Sequence, residues 1–136
     1  MKKEFENSYR YRVYYEHTDG GGVVYHSRYL NFFERARTDW LRERGIIQSV
    51  WQKEHNLVYV VTKAEIQYKK PARMDDALTV SCVMTKLRRA SVEFYQEMHN
   101  QDGVLLATVT LTAACLYADS FAIRSIPQQL TEDLSQ

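Results

Sequence analysis

No sign of charge predominates in this sequence. Eighteen Lys and Arg face seventeen Asp and Glu, a formal net charge of +1 over 136 residues, and that balance gives no basis for expecting nucleic acid or an acidic partner. Cysteine is scarce. Cys82 and Cys115 lie in apolar runs away from any metal-ligand spacing, and are expected to be reduced thiols packing as small hydrophobes. No apolar run approaches the length needed to cross a bilayer, so no transmembrane segment is expected. Met1-Lys2-Lys3-Glu4-Phe5 is followed by polar residues rather than the apolar stretch of a secretion leader, which points to the cytoplasm. Only two prolines and five glycines punctuate the chain, and repeats, linkers and low-complexity segments are missing. The length suits one domain over 1–136 with a sizeable core.

What the chain does have is tyrosine, ten of them, and a pattern that suits strands. Tyr9, Tyr11, Val13 and Tyr15 alternate with Arg10, Arg12, Tyr14 and Glu16, predicting a first strand to the edge of a glycine run. From Ser27 to Arg44 the period changes: Tyr29, Phe32, Phe33, Ala36, Trp40 and Leu41 recur at helical spacing, and Gly45 stands where a left-handed C-terminal residue belongs. Residues 48–56 suit a short helical turn. Period two then returns, with Val58, Val60, Ala64, Ile66 and Tyr68 on one strand face and Pro71 closing it. Leu78 to Leu87 and Ser91 to His99 predict two strands joined at Arg88-Arg89. Asn100-Gln101-Asp102-Gly103 is a hairpin turn, Val104 to Tyr117 a long last strand, and Pro127 a start for a final short helix. The class is α+β, and tight turns make the later strands antiparallel. One helix covers one sheet face, so a second subunit is expected to help cover the other.

Tyr15-Glu16-His17-Thr18-Asp19-Gly20-Gly21-Gly22-Val23-Val24-Tyr25-His26 sets a carboxylate, two imidazoles and a phenol around three glycines, between strand and helix. A backbone can bend tightly there, and free helix N–H groups can meet a developing negative charge. Acyl transfer needs a base or nucleophile and a donor for the oxyanion. Asp19 is the carboxylate inside the loop, and the main-chain N–H of His26 is a candidate orphan donor of the first helical turn. An Asp before glycines also serves as a turn or capping residue. No Gly-Lys-Ser/Thr follows the glycines, which argues against a nucleotide phosphate loop. Glu16, His17, Asp19 and His26 have the types to hold a metal, at a spacing that matches no familiar zinc pattern. Ser27 lacks a Gly-x-Ser-x-Gly elbow, and a catalytic Cys82 or Cys115 would have to leave its apolar strand.

The run from Arg12 to His26, continuing through Tyr29 to Phe33-Glu34-Arg35-Ala36-Arg37, resembles the 4-hydroxybenzoyl-CoA thioesterase family, and within it the YbgC-type acyl-CoA thioesterases associated with the Tol-Pal operon. Thr-Asp, then Gly-Val-Val, Tyr-His and an aromatic helix ending Glu-Arg-Ala-Arg carry the likeness, and the strand order and Ile126-Pro127 extend it over nearly the whole chain. The resemblance implies a hotdog fold, a long central helix wrapped by a curved antiparallel sheet in the order β-α-β-β-β-β. It implies subunits paired edge to edge, often as tetramers, and no metal or organic cofactor. The family's catalytic carboxylate falls on Asp19, with Tyr15 and His26 as companions. One departure stands at His17, where the subgroup usually has an acid; an imidazole turned toward Asp19 would lower its pKa.

The expected reaction is hydrolysis of an acyl-CoA thioester to a carboxylic acid and CoA, with Asp19 as nucleophile or as general base toward water. Gly22, Val23, Val24, Tyr25 and Tyr29 are expected to meet the acyl group, while Lys86, Arg88 and Arg89 are candidates for the CoA phosphates. Two rivals stand beside this reading. One is a module that binds acyl thioesters or acyl carrier protein without turnover, linked to phospholipid metabolism. The other is a hotdog dehydratase, for which the helix offers Glu34 and Asp39 but no dehydratase-like histidine motif precedes them.

Overall fold

The computed structural model describes residues 7–136, so the reading made on Met1 to Phe5 lies outside the described residues. The strands are β1 (Ser8–Arg12), β2 (Leu57–Tyr68), β3 (Ala77–Ser81), β4 (Val83–Leu87), β5 (Ser91–His99) and β6 (Leu105–Tyr117). The helices are α1 (Arg28–Glu43), α2 (Gln48–His55) and α3 (Gln128–Leu134). All pairings are antiparallel, in the order β1-β3-β5-β6-β2, with β4 alongside β5. The sheet wraps the long helix in the hotdog arrangement. No described helix is long and apolar enough to cross a membrane.

The apolar stripe of α1 makes the core. Tyr29, Phe32, Phe33, Ala36, Trp40 and Leu41 are buried, and each large side chain so removed from water stabilises the fold by about 1.5–3 kcal/mol. They meet Leu78 and Val80 of β3, Val92, Phe94 and Met98 of β5, and Val109 and Leu111 of β6 in one continuous cluster. The helix stops at Gly45, whose φ of +79° is the left-handed turn a Cβ would disfavour. The tyrosines of β1 lock it to the helix: the Tyr9 hydroxyl donates to Glu43, and that of Tyr11 to Asp39. Asp39, weighed above as a dehydratase acid, is thereby a structural acceptor.

Four boundaries differ from the expectation, each for a local reason. The first strand ends at Arg12 rather than running to Tyr15. Tyr14 gives its N–H to His17 Nδ1 at 2.9 Å, not to a neighbouring strand, and a 3-10 turn follows over Tyr15–His17. The face proposed for 58–68 is interrupted by a bulge between Val61 and Lys63. The extra residue reverses side-chain parity, so Leu57 and Tyr59 face the core before it and Ile66 after it. The strand expected over 78–87 is two strands, because Cys82 turns its N–H to the Asn7 carbonyl at 2.9 Å. Residues 48–55 form a full helix, stopped by Asn56 in the left-handed region. The sheet face away from α1 carries Thr108, Thr110 and Thr112 with Glu93, Tyr95 and Glu97. Along the middle of β5 and β6 that face is polar.

Candidate active site

The loop between the 3-10 turn and α1 is a tight, internally bonded excursion. Asp19 N–H donates to the Val23 carbonyl at 3.1 Å, and Tyr25 N–H to the His17 carbonyl at 3.1 Å. Gly20 and Gly22 take φ of +91° and +85°, which an L side chain resists. A Cβ on Gly21 would stand 3.2 Å from Asp19 Oδ1. That oxygen accepts the Gly21 N–H at 2.8 Å, which fixes the carboxylate over the glycines while leaving it exposed to solvent. The turn and the candidate catalytic acid are therefore one feature.

His26 lies on the far side of the excursion. Its ring is exposed and packs on Tyr25, with centroids 4.6 Å apart. Its carbonyl accepts the Tyr68 hydroxyl at 3.1 Å. Among the described residues the N–H groups of His26 and Ser27 donate to no carbonyl, so the two orphan donors just before α1 are free for a substrate oxygen. Tyr15 is 74% exposed. Its carbonyl accepts both the N–H (3.0 Å) and the hydroxyl (2.8 Å) of Thr18, so it shapes the segment entering Asp19.

His17 is turned away from Asp19. It is 3% exposed, set edge-on to Phe32 with centroids 4.8 Å apart and stacked on Tyr14. Nδ1 is occupied by the Tyr14 N–H, which leaves any proton on Nε2, 3.6 Å from Glu16. Burial lowers its pKa and favours the neutral ring, against the raising effect of Glu16. An imidazole turned toward Asp19 needs both side chains on one face of an extended segment, and the 3-10 turn removes that geometry.

The acyl-contact candidates divide. Val24 and Tyr29 are buried, and the Tyr29 hydroxyl accepts the Ala72 N–H at 2.9 Å. With His26 they line a cleft of about 300 Å³ that also holds Tyr68, Lys69 and Lys70. These last three escaped the sequence reading; the signal was a Tyr-Lys-Lys run just before Pro71. Gly22, Val23 and Tyr25 stay in the loop, where Val23 pairs with Arg73. Lys86, Arg88 and Arg89 are exposed at the β4–β5 corner, and Arg89 donates to the Ser125 hydroxyl at 2.6 Å. That corner adjoins Ser91, opposite Ala114 of β6, whereas Tyr68 is opposite Ala107. Seven residues of β6 separate the two ends, roughly 24 Å, so one chain does not bring the basic corner to its own glycine loop. Both cysteines are buried and free, and burial pushes the Cys82 thiol up to about 12, which removes it as a nucleophile.

The family described as Thioesterase superfamily matches residues 21–107. The chain is 37% identical over 125 residues to the acyl-CoA thioester hydrolase YbgC of Escherichia coli O157:H7, covering 92% of each chain. It is 41% identical over 109 residues to the acyl-CoA thioesterase YbgC of Haemophilus influenzae, covering 80% of this chain and 79% of that one. The DHNA-CoA thioesterase of Staphylococcus aureus superimposes with a TM-score of 0.85 at 26% identity, over 94% of this chain and 87% of that one. Fold, loop and relatives agree: this chain belongs to the thioesterase superfamily and is a thioester hydrolase of hotdog fold.

Proposed function

We propose that the chain hydrolyses acyl-CoA thioesters to a carboxylic acid and CoA, with Asp19 as the reacting carboxylate. The observation that carries this is the pairing of a fixed, solvent-facing carboxylate with free N–H groups at the start of α1 in one loop. A thioester carbonyl seated on the His26 and Ser27 N–H groups gains negative charge as it becomes tetrahedral. Donors held ready for that charge are worth about 10²–10³ in rate. In one route Asp19 attacks the carbonyl carbon, the C–S bond breaks, CoA leaves as its thiolate and takes a proton from solvent, and water opens the anhydride. In the other Asp19 takes a proton from the attacking water. Tyr15 holds the approach to Asp19, while the His26 ring and Tyr68 border the acyl group.

The complete site is a property of two copies. β2 ends the sheet, and Val60 and Val61 are exposed on it. Antiparallel pairing of two such edges about the middle of β2 sets the glycine loop of one copy beside the Lys86, Arg88 and Arg89 corner of the other. That adds a second set of cations to Lys69 and Lys70, which each chain carries beside its own His26, with the pantetheine arm lying along the seam.

Asp19→Asn should keep the fold by circular dichroism and lose about 10²–10⁴ in kcat across an acyl-CoA panel; near-normal turnover would remove Asp19 from the mechanism. Single-turnover hydrolysis in isotopically heavy water separates the two routes. Label in the Asp19 carboxylate, or the mass of the acyl group on rapidly quenched protein, identifies the anhydride; label confined to the product acid with no acylated protein identifies general-base catalysis.

A further inference from the structure

Between α1 and the first half of β2 lies a cavity of about 340 Å³ that the reaction described above does not use. Phe94 and Val61 give it apolar walls, while Arg37, Thr38, Tyr59 and Glu34 give it polar ones. Its donors are under-used. The Arg37 guanidinium makes one hydrogen bond among the described residues, to Gln96 Oε1 at 3.0 Å, and no described carboxylate pairs with it. Burial lowers its pKa, against the raising effect of Glu34 one helical turn earlier. The Tyr59 hydroxyl is buried and has no hydrogen-bond partner among the described residues. Thr38 accepts from Gln48 Nε2 at 3.4 Å and keeps its own proton to give. Glu34 stands exposed, where water screens its charge.

A guanidinium carries five donors in a fork that fits a carboxylate, and a buried phenol without a partner pays its desolvation uncompensated. An acceptor completes this set, and a carboxylate matches both the guanidinium fork and the phenol. In the proposed pairing the cavity, bordered by Val61, opens toward the other copy, and a chain whose carbonyl sits on that copy's glycine loop would run past Phe94 and Val61 toward Arg37. We infer that this cavity receives the far end of the acyl group, and that Arg37 and Tyr59 select acyl chains ending in a carboxylate. The inference rests on the acyl-CoA hydrolase reading and on the pairing through β2. An acyl chain ending in a methyl group leaves both donors unmet, and sites built to bond a polar group reject the analogue that lacks it.

The test compares acyl-CoA pairs matched in length, one ending in methyl and one in carboxylate, over short to long chains. Wild type should favour the carboxylate-ended member in kcat/KM by about tenfold or more at some chain length, as a hydrogen bond to a charged group warrants. Tyr59→Phe, which removes one oxygen, should lower that preference several-fold, reducing kcat/KM for the carboxylate-ended substrate without reducing it for the methyl-ended one; Arg37→Lys should lower the preference further. Equal kcat/KM for both members at every length, or Tyr59→Phe lowering both alike, overturns the inference while acyl-CoA hydrolysis stands. If no acyl-CoA is hydrolysed, the hydrolase reading fails separately. Calorimetry with the matched pair of non-hydrolysable thioether analogues then reads the same preference as a ratio of Kd, and equal affinities overturn the inference.

Discussion

At the scale of single residues, two backbone N–H groups of the loop donate to side chains. One is Gly21 N–H to Asp19. Gly21→Ala places a methyl 3.2 Å from Oδ1, so the carboxylate must turn. We expect kcat to fall at least tenfold, with the melting temperature within about 2 °C of wild type, because a surface substitution seldom costs more than about 0.5 kcal/mol. The other is Tyr14 N–H to His17 Nδ1. Protonating that nitrogen removes the acceptor, and burial already lowers the pKa below its ordinary value of 6.5. The unfolded chain therefore binds the proton more readily. Stability is complete above about pH 6.5 and declines as pH falls from there through the lower folded value. Thermal melts across that window should show wild type losing stability that His17→Gln, which does not titrate, retains. Parallel curves for the two proteins would remove His17 as the cause.

At the scale of elements, β2 is the informative one. Its bulge at Thr62 lets one strand face the core with Tyr59 on one side and Ile66 on the other. Deleting Thr62 should destabilise the protein by at least about 2 kcal/mol in urea titrations, whereas Thr62→Ala should stay within about 0.5 kcal/mol. The same bulge marks where sequence reading gives out. Helix α1 was legible because six buried residues recur at its own period and Gly45 ends it. The antiparallel hairpin through Asp102-Gly103 was legible because the turn chemistry is local. A bulge leaves no such sign: Thr62 is an ordinary strand residue, and only pairing against β6 makes it the extra one. The fate of Tyr15 was hidden for a similar reason. Alternation carried the strand past Val13, and the bond that stops it comes from a side chain three residues on. Within the candidate site, the tight loop joining Asp19 to the glycines was readable from composition and order. Tyr68 was not, since its place depends on which strand lies beside which helix.

At the scale of the whole molecule, the proposed pairing rests on the β2 edge of the sheet. A row of unpaired strand groups invites another strand, and a charge on that edge is how sheets refuse one. Val61→Lys should shift the mass found by sedimentation equilibrium to that of one chain. Its far-UV circular dichroism should remain unchanged, and its kcat/KM toward acyl-CoA should drop at least tenfold. Full activity in a demonstrably single chain would show that each copy carries its own complete site. Against that exchangeable edge stands a fixed interior. The Gln96 amide donates to the Phe33 carbonyl at 2.9 Å and the Ser81 carbonyl at 3.2 Å, while its oxygen takes Arg37. One fully buried side chain thus clamps the middle of the long helix to two strands. The helix cannot slide along the sheet to make room. Substrates of different length are measured against a stationary rod, and any widening of the acyl-group repertoire must come from side chains at the ends of the cleft.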